Sequence, residues 1–253
     1  MKEKFIKIII ILISFMVIFP FISLIITSDR LDDWIYVFSD KKTYIALGNT
    51  IGIAFMALFI NIVIGTPVAS LMEKEEFIGK KLLELLIFLP LIIPSFVTTM
   101  GIQYNFIKLG LIDTILGVGI IHSVITMPYY IRSLRVAYST LSKDYEKMGK
   151  IMGASSLEIF YKINLPIIFP GFLAGMSMVL IVSFAQYLIT LIIGGGEIMT
   201  IPILMFPYIS GGDIKVGGVY SILYILVNLI LILFLEKAVK GIYYRKGKID
   251  DRN

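Results

Sequence analysis

The chain has 253 residues, 58% hydrophobic and only 16% charged, with a mean hydropathy of +0.91. A soluble domain carries about 25% charged residues, so that class is excluded, and the length leaves room for one membrane domain over residues 1–253 beside no ordinary soluble one. The formal net charge is +5 and cysteine is absent, which excludes disulfides, a thiolate nucleophile and a Cys-type zinc site; no catalytic set, cofactor, metal or nucleic-acid partner is expected.

A helix needs about 20 apolar residues to cross the ~30 Å hydrocarbon core. Uncharged runs at Ile8–Thr27, Thr43–Met72, Leu85–Ile107, Thr114–Ile131, Ile167–Ile193 and Val216–Leu235 predict six such helices, spanning about 6–27, 47–72, 85–107, 112–131, 167–193 and 216–237. Nothing alternates in polarity as barrel strands do, so the expected fold is all-α and polytopic. The first run begins after lysines, as secretory signals do, but is longer than a signal core and lacks small residues spaced for cleavage, so it reads as an anchored helix.

The basic residues orient this bundle. With the N-terminus inside, segments 1–7, 73–84, 132–166 and 236–253 hold three, three, six and six Lys and Arg, against five in all the outer segments. Cytoplasmic loops carry this excess, which places both termini and the polar island 132–166 in the cytoplasm of a multi-pass cell-membrane protein.

Along that island, Asp144–Met152 and Ser155–Ile163 read as two short helices with a bend at Gly153, and Pro166 suits the first turn of the next span. Met148, Ile151, Met152, Leu157 and Phe160 are interspersed with Glu146, Lys147, Lys150, Glu158 and Lys162. From periodicity alone two readings stand: a helix pair lying on the inner leaflet, or a contact device for a cytoplasmic partner.

Within the spans, His122 is the only histidine. An ionisable group at membrane depth is a functional candidate, while a neutral imidazole bonded to a neighbouring helix is the more ordinary reading. Ser183, Gln186 and Thr190 recur at helical spacing on the fifth span, as a stripe facing a solute pathway or as glue between helices. Gly171 and Gly175 form a Gly-x-x-x-Gly pair for close helix packing. Ile198–Gly212, broken by Pro202 and Pro207, is too short to span and reads as re-entrant or outer-surface. No Gly-x-x-x-x-Gly-Lys-Ser/Thr loop is present; Gly194-Gly195-Gly196 runs into Glu197-Ile198 and reads as a flexible exit from the fifth span.

Gly153-Ala154-Ser155 and Ile163-Asn164-Leu165-Pro166 stand at the spacing of a known pattern: Glu-Ala-Ala, three residues, Gly, nine residues, Ile-x-Leu-Pro. The island thus resembles the coupling loop (about 143–166, between the fourth and fifth spans) of inner-membrane permease subunits of binding-protein-dependent ABC importers. The chain departs from the pattern at Lys147-Met148-Gly149, where Glu-Ala-Ala would stand, with Glu146 one residue early. Asn49-Thr50, Leu89-Pro90 through Pro94, His122 with Met127-Pro128-Tyr129, and Thr200-Ile201-Pro202-Ile203 look like the same family.

The resemblance implies a subunit that forms a solute pathway with a second permease, like or unlike itself, and receives solute from an extracytoplasmic binding protein. Glu146, Lys147, Gly149, Gly153, Ala154, Ile163, Leu165 and Pro166 would couple it to separate cytoplasmic ATPase subunits, and His122, Ser183, Gln186 and Thr190 would be pathway candidates. The subgroup resembled carries polyamines, ferric iron, thiamine and similar solutes, although Ala185-Gln186 stands where polyamine members tend to be acidic. An ATP-independent secondary transporter or channel is the alternative, but it would show intramembrane charges or an inverted repeat, and neither is seen. A membrane-embedded enzyme would need clustered His, Asp or Glu.

Overall fold

A computed structural model describes residues 2–250; Met1 and residues 251–253, with Arg252 of the basic tail, lie outside the described residues. Among those described there are eleven helices and no strand. In chain order they are α1 (Lys2–Thr27), α2 (Leu31–Ser39), α3 (Lys41–Lys74), α4 (Lys80–Ile92), α5 (Ser95–Lys108), α6 (Ile115–Tyr138), α7 (Lys143–Ile151), α8 (Ser156–Phe184), α9 (Leu188–Ile193), α10 (Ile201–Ser210) and α11 (Ile214–Asp250). Five of these, α1, α3, α6, α8 and α11, are long and apolar enough to cross a membrane, and the bent pair α4–α5 makes a sixth if it counts as one span.

The centre of the bundle is α3, α6 and α8. Ala54, Ala57 and Ala69 of α3 meet Tyr130, Ile131 and Leu134 of α6, and Leu173, Met176 and Val179 of α8 close the cluster. Lipid gives apolar helices no reason to leave it for one another, so close packing and polar contacts must hold them. Gly171 answers that need: a Cβ there would lie 2.5 Å from Ala137 and 2.8 Å from the Ser133 carbonyl, and Ser133 Oγ donates to the Gly171 carbonyl at 3.0 Å. A second cluster joins α2, α3, α10 and α11 through Val37, Ala46, Leu204 and Tyr220. A third sets α5 and α9 against α3 and α6 through Phe106, Ile189, Ile53 and Ile121. By contrast α1 lies along α11 and is exposed along its apolar length, as a lipid-facing helix would be.

Three features differ from straight helices over the uncharged runs. The third run bends by 109° between α4 and α5. Pro94 is the cause, since its ring drives the preceding residue out of the helical region, and Ile93 sits at φ −82°, ψ 130°. The fifth run ends at Phe184 and resumes at Leu188, with no Gly or Pro between them. The island, finally, does not stop before its span. Its second helix runs unbroken into the membrane as α8, through a π turn at Phe160–Asn164 that ends two residues before Pro166.

The π turn at Asn61–Gly65 in α3 likewise ends two residues before Pro67. A proline inside an α-helix removes one hydrogen bond and strikes the carbonyl four residues back. A turn widened to five-residue bonding, as in Leu165 N–H to the Phe160 carbonyl, accommodates both defects. Pro166 therefore shapes the middle of a helix, where the first turn of a new one was expected.

Candidate functional site

The polar island folds as a helical hairpin at one end of the bundle. Ser142 caps α7, accepting from the Asp144 N–H. Ser155 and Glu158 form a reciprocal capping box at the start of α8, with Ser155 N–H donating to Glu158 Oε2 at 2.9 Å and Glu158 N–H to Ser155 Oγ at 3.3 Å. Between the helices Gly153 takes φ +82°. Its N–H bonds the Lys150 carbonyl and Ala154 N–H bonds the Gly149 carbonyl, both at 3.0 Å, the paired closure by which a left-handed residue ends a helix. The bend is thus rigid. Gly149 faces the second helix: a Cβ there would stand 2.9 Å from Ile163 Cδ1. The tip is apolar and open, with Ile151 84% and Met152 83% exposed.

Charges on the hairpin divide into two groups. Lys147 and Asp144 are outside, 3.5 Å apart, with 70% and 79% of their side chains exposed. Glu146 faces inward and accepts from Lys74 Nζ at the end of α3, with 21% and 13% of those side chains exposed. Lys74 also stands 4.5 Å from the ring centroid of Tyr138 at the end of α6. Burial pushes the Glu146 carboxyl up, but hydrogen bonds from Lys74 and Asn164, with the charges of Lys74 and Lys150, outweigh it and hold the group below the usual carboxylate range. These residues line a cavity of about 600 Å³ between the α3 end and the hairpin, with Ser70, Ser156 and Phe160. A neighbouring ionic cluster sets Arg135 of α6 against Glu73 at 3.3 Å and Glu84 of α4 at 2.5 Å.

His122, Ser183 and Thr190 come together in the bundle core, all buried. The imidazole Nδ1 lies 2.9 Å from Ser183 Oγ and Nε2 lies 2.9 Å from Thr190 Oγ1. One ring therefore ties the last turn of α8 to α9 across the interruption at residues 185–187. Thr190 Oγ1 also donates to the Gln186 carbonyl at 2.6 Å, and Gln186 lines the small gap beside the ring with Thr50 and Thr200.

The same seam continues through the bundle. Asn49 Nδ2 donates to the Met199 carbonyl at 2.8 Å and Thr50 Oγ1 accepts from Ile201 N–H at 2.9 Å, so the Asn-Thr pair holds the start of α10. Toward the hairpin, Thr126 Oγ1 donates to the His122 carbonyl, Asn61 Nδ2 donates to Thr126 Oγ1 at 2.9 Å, and Thr66 and Tyr130 share a hydrogen bond of 2.8 Å.

An all-helical membrane bundle with a rigid hairpin at one end and a seam of neutral polar groups through its core has known counterparts. Residues 62–242 match the family described as the binding-protein-dependent transport system inner membrane component. The chain belongs to that family. It is 25% identical over 215 residues to the molybdenum transport system permease protein ModB of Haemophilus influenzae, covering 77% of this chain and 94% of that protein. To the arabinooligosaccharides transport system permease protein AraQ of Halalkalibacterium halodurans it is 26% identical over 251 residues, covering 89% and 88%. In fold it matches a chain of a bacterial ABC transporter involved in the import of the acidic polysaccharide alginate, with a TM-score of 0.74 at 16% identity over 93% of this chain and 95% of that one.

This protein is therefore a multi-pass membrane permease subunit of a binding-protein-dependent ABC importer, and ATP hydrolysis belongs to a separate subunit. The matches bear out the permease family; the relatives named here are molybdenum and arabinooligosaccharide permeases, and they do not confirm the polyamine, iron and thiamine subgroup.

Several residues of the site gave no signal in the sequence. Lys74 follows Glu73 just past an uncharged run, as a flanking charge at any span end would, and only the fold brings it to Glu146, 72 positions on. Asn61 and Thr126 are ordinary polar residues on long apolar helices until their helices meet. Thr50 and Thr200 belong to motifs noticed separately, and their proximity needed the structure.

Proposed function

We propose that this permease crosses the membrane six times with both termini and the hairpin in the cytoplasm, that it pairs with a second permease, and that the hairpin tip seats in an ATPase subunit. The observation that carries this reading is the hairpin itself: a rigid bend at Gly153 presenting Ile151 and Met152 bare to water. Exposed apolar side chains on a stiff projection favour a protein cleft over solvent.

Counting α4–α5 as one bent crossing is supported by charge. Six crossings leave 18 Lys and Arg inside and five outside, whereas a re-entrant α4–α5 would reverse every later segment and leave eight inside and 15 outside. The solute proposed for this pathway is small, polar and not cationic. Polyamines, ferric iron and thiamine are all positively charged, and the apolar runs of the spans offer no carboxylate to meet them; a molybdate-like oxyanion or a neutral sugar suits a lining of hydroxyls, amides and backbone. The chain has no native cysteine, so single cysteines report topology cleanly. Cysteines at Ser155 and Gly212 should label from the cytoplasm and from outside, respectively, and labelling of Ser155 from outside would defeat the reading.

A further inference from the structure

The pattern that the island resembles places its acidic residue at the position of Lys147, and Glu146, one residue early, was the natural substitute for an ATPase contact. The geometry assigns Glu146 elsewhere. On a helix, neighbouring positions lie about 100° apart, and that step turns Glu146 from the outer face to the bundle. There it meets Lys74, which is anchored over Tyr138, and Asn164 of the α8 π turn.

We propose that Glu146 is a positioning residue inside the subunit: with Lys74 it forms a strut that carries movement of the hairpin into α3. This rests on the proposed seating of the hairpin in an ATPase, because the strut matters only if an ATPase moves the hairpin. The reason such a strut is needed is the cavity. About 600 Å³ of open space separates the α3 end from the hairpin, and its residues include Lys74, Glu146 and Asn164. A push on the tip passes along α8, which continues the hairpin into the bundle, but it reaches the end of α3 across that space only where something rigid bridges it. Exposed ion pairs are weak, but this one is mostly shielded, charge-assisted and shared with a third polar group, the conditions under which a pair holds its geometry. Beyond Lys74, α3 runs back through Ser70 and Thr66, which is bonded to Tyr130, to the π turn at Asn61 and the seam below His122. A displacement delivered at Lys74 therefore enters the polar core directly. Lys147, on the outer face beside Asp144, takes no part in the strut.

The test uses the complete transporter, this chain with its ATPase, second permease and binding protein, reconstituted in lipid vesicles. The variants are Glu146→Gln, Lys74→Met and the exchange of Lys74→Glu with Glu146→Lys. Both single variants should retain the ATPase on purification yet lose binding-protein-stimulated ATP hydrolysis by about tenfold or more, the scale of one charge-assisted hydrogen bond. The exchange should recover most of it. In case the single variants assemble poorly, a Lys74→Cys, Glu146→Cys pair should regain stimulation when bridged through two disulfides by a short bis-methanethiosulfonate linker and lose it on reduction.

Unaltered stimulation in both single variants would overturn the strut. So would release of the ATPase by Glu146→Gln without recovery in the exchange, which would return Glu146 to the ATPase surface. Failure of the unmodified chain to bring down any ATPase would instead defeat the proposed seating of the hairpin, on which the strut depends.

Discussion

At the scale of single residues, the hairpin turns on Gly153. Nothing lies within 4 Å of where its Cβ would be, so in this chain a substitution there costs backbone strain and little else. Holding a non-glycine residue in the left-handed region costs about 1–2 kcal/mol, least for Asn, and a β-branched side chain fits it worst. Gly153→Asn should therefore keep ATPase association near the native level, and Gly153→Val should weaken it about tenfold, as read by co-purification. Equal losses in both variants would show that the ATPase cleft excludes any side chain at this point. Lys147→Ala should be mild in the same assay if its only ionic partner is the exposed Asp144.

Among the elements, the interrupted fifth run is the most informative. Irregular backbone at membrane depth persists only where protein or a wet cavity satisfies it, and here a single imidazole joins the two sides. If His122 is chiefly a tie, His122→Ala should lower the stability of the detergent-solubilised protein by about 1 kcal/mol, two hydrogen bonds at about 0.6 kcal/mol each between membrane helices. A normal melting profile with lost transport would place the ring in the solute pathway instead.

The contrast between breaks shows what the sequence could and could not reveal. The number, place and composition of the apolar runs were legible, because length and absence of charge are local properties. The bend at Gly153 was legible too, since a glycine between two amphipathic stretches has few other uses. Pro94 was in view, but a proline alone does not announce a 109° turn. The interruption after Phe184 had no local sign; Ser183 and Thr190 read as one helical stripe, and it takes His122 of another helix to bring them to one ring across a break. Glu146 and Lys74 were invisible as a pair for the same reason, their distance along the chain.

Across the whole molecule, the seam from Asn49 through His122 to Tyr130 is neutral, and charge is concentrated at the hairpin end in Lys74–Glu146 and Arg135 with Glu73 and Glu84. A solute path along this seam, as proposed above, would offer a cation no carboxylate as countercharge for its lost hydration. Reconstituted with its partners, the transporter should accumulate molybdate or a neutral oligosaccharide and leave spermidine outside. Spermidine uptake driven by ATP would show that the cation is held by the second permease or by a part of this chain away from the seam.

Each π turn also carries a surplus residue, and this has a consequence for deletions. Removing one residue from a regular stretch of α3, such as Phe55, rotates all that follows by about 100° and takes Thr66, Ser70 and Lys74 off their faces. Removing Val63, which is exposed inside the Asn61–Gly65 turn, straightens the helix and returns every later side chain to the face it already occupies. Pro67 must then lose its ring, since the widened turn is what accommodates it. The deletion of Val63 combined with Pro67→Ala should fold and assemble, while deletion of Phe55 should not, a difference visible in the yield of monodisperse protein. The chain thus has spare length at one point in its second apolar run, and none a few residues earlier.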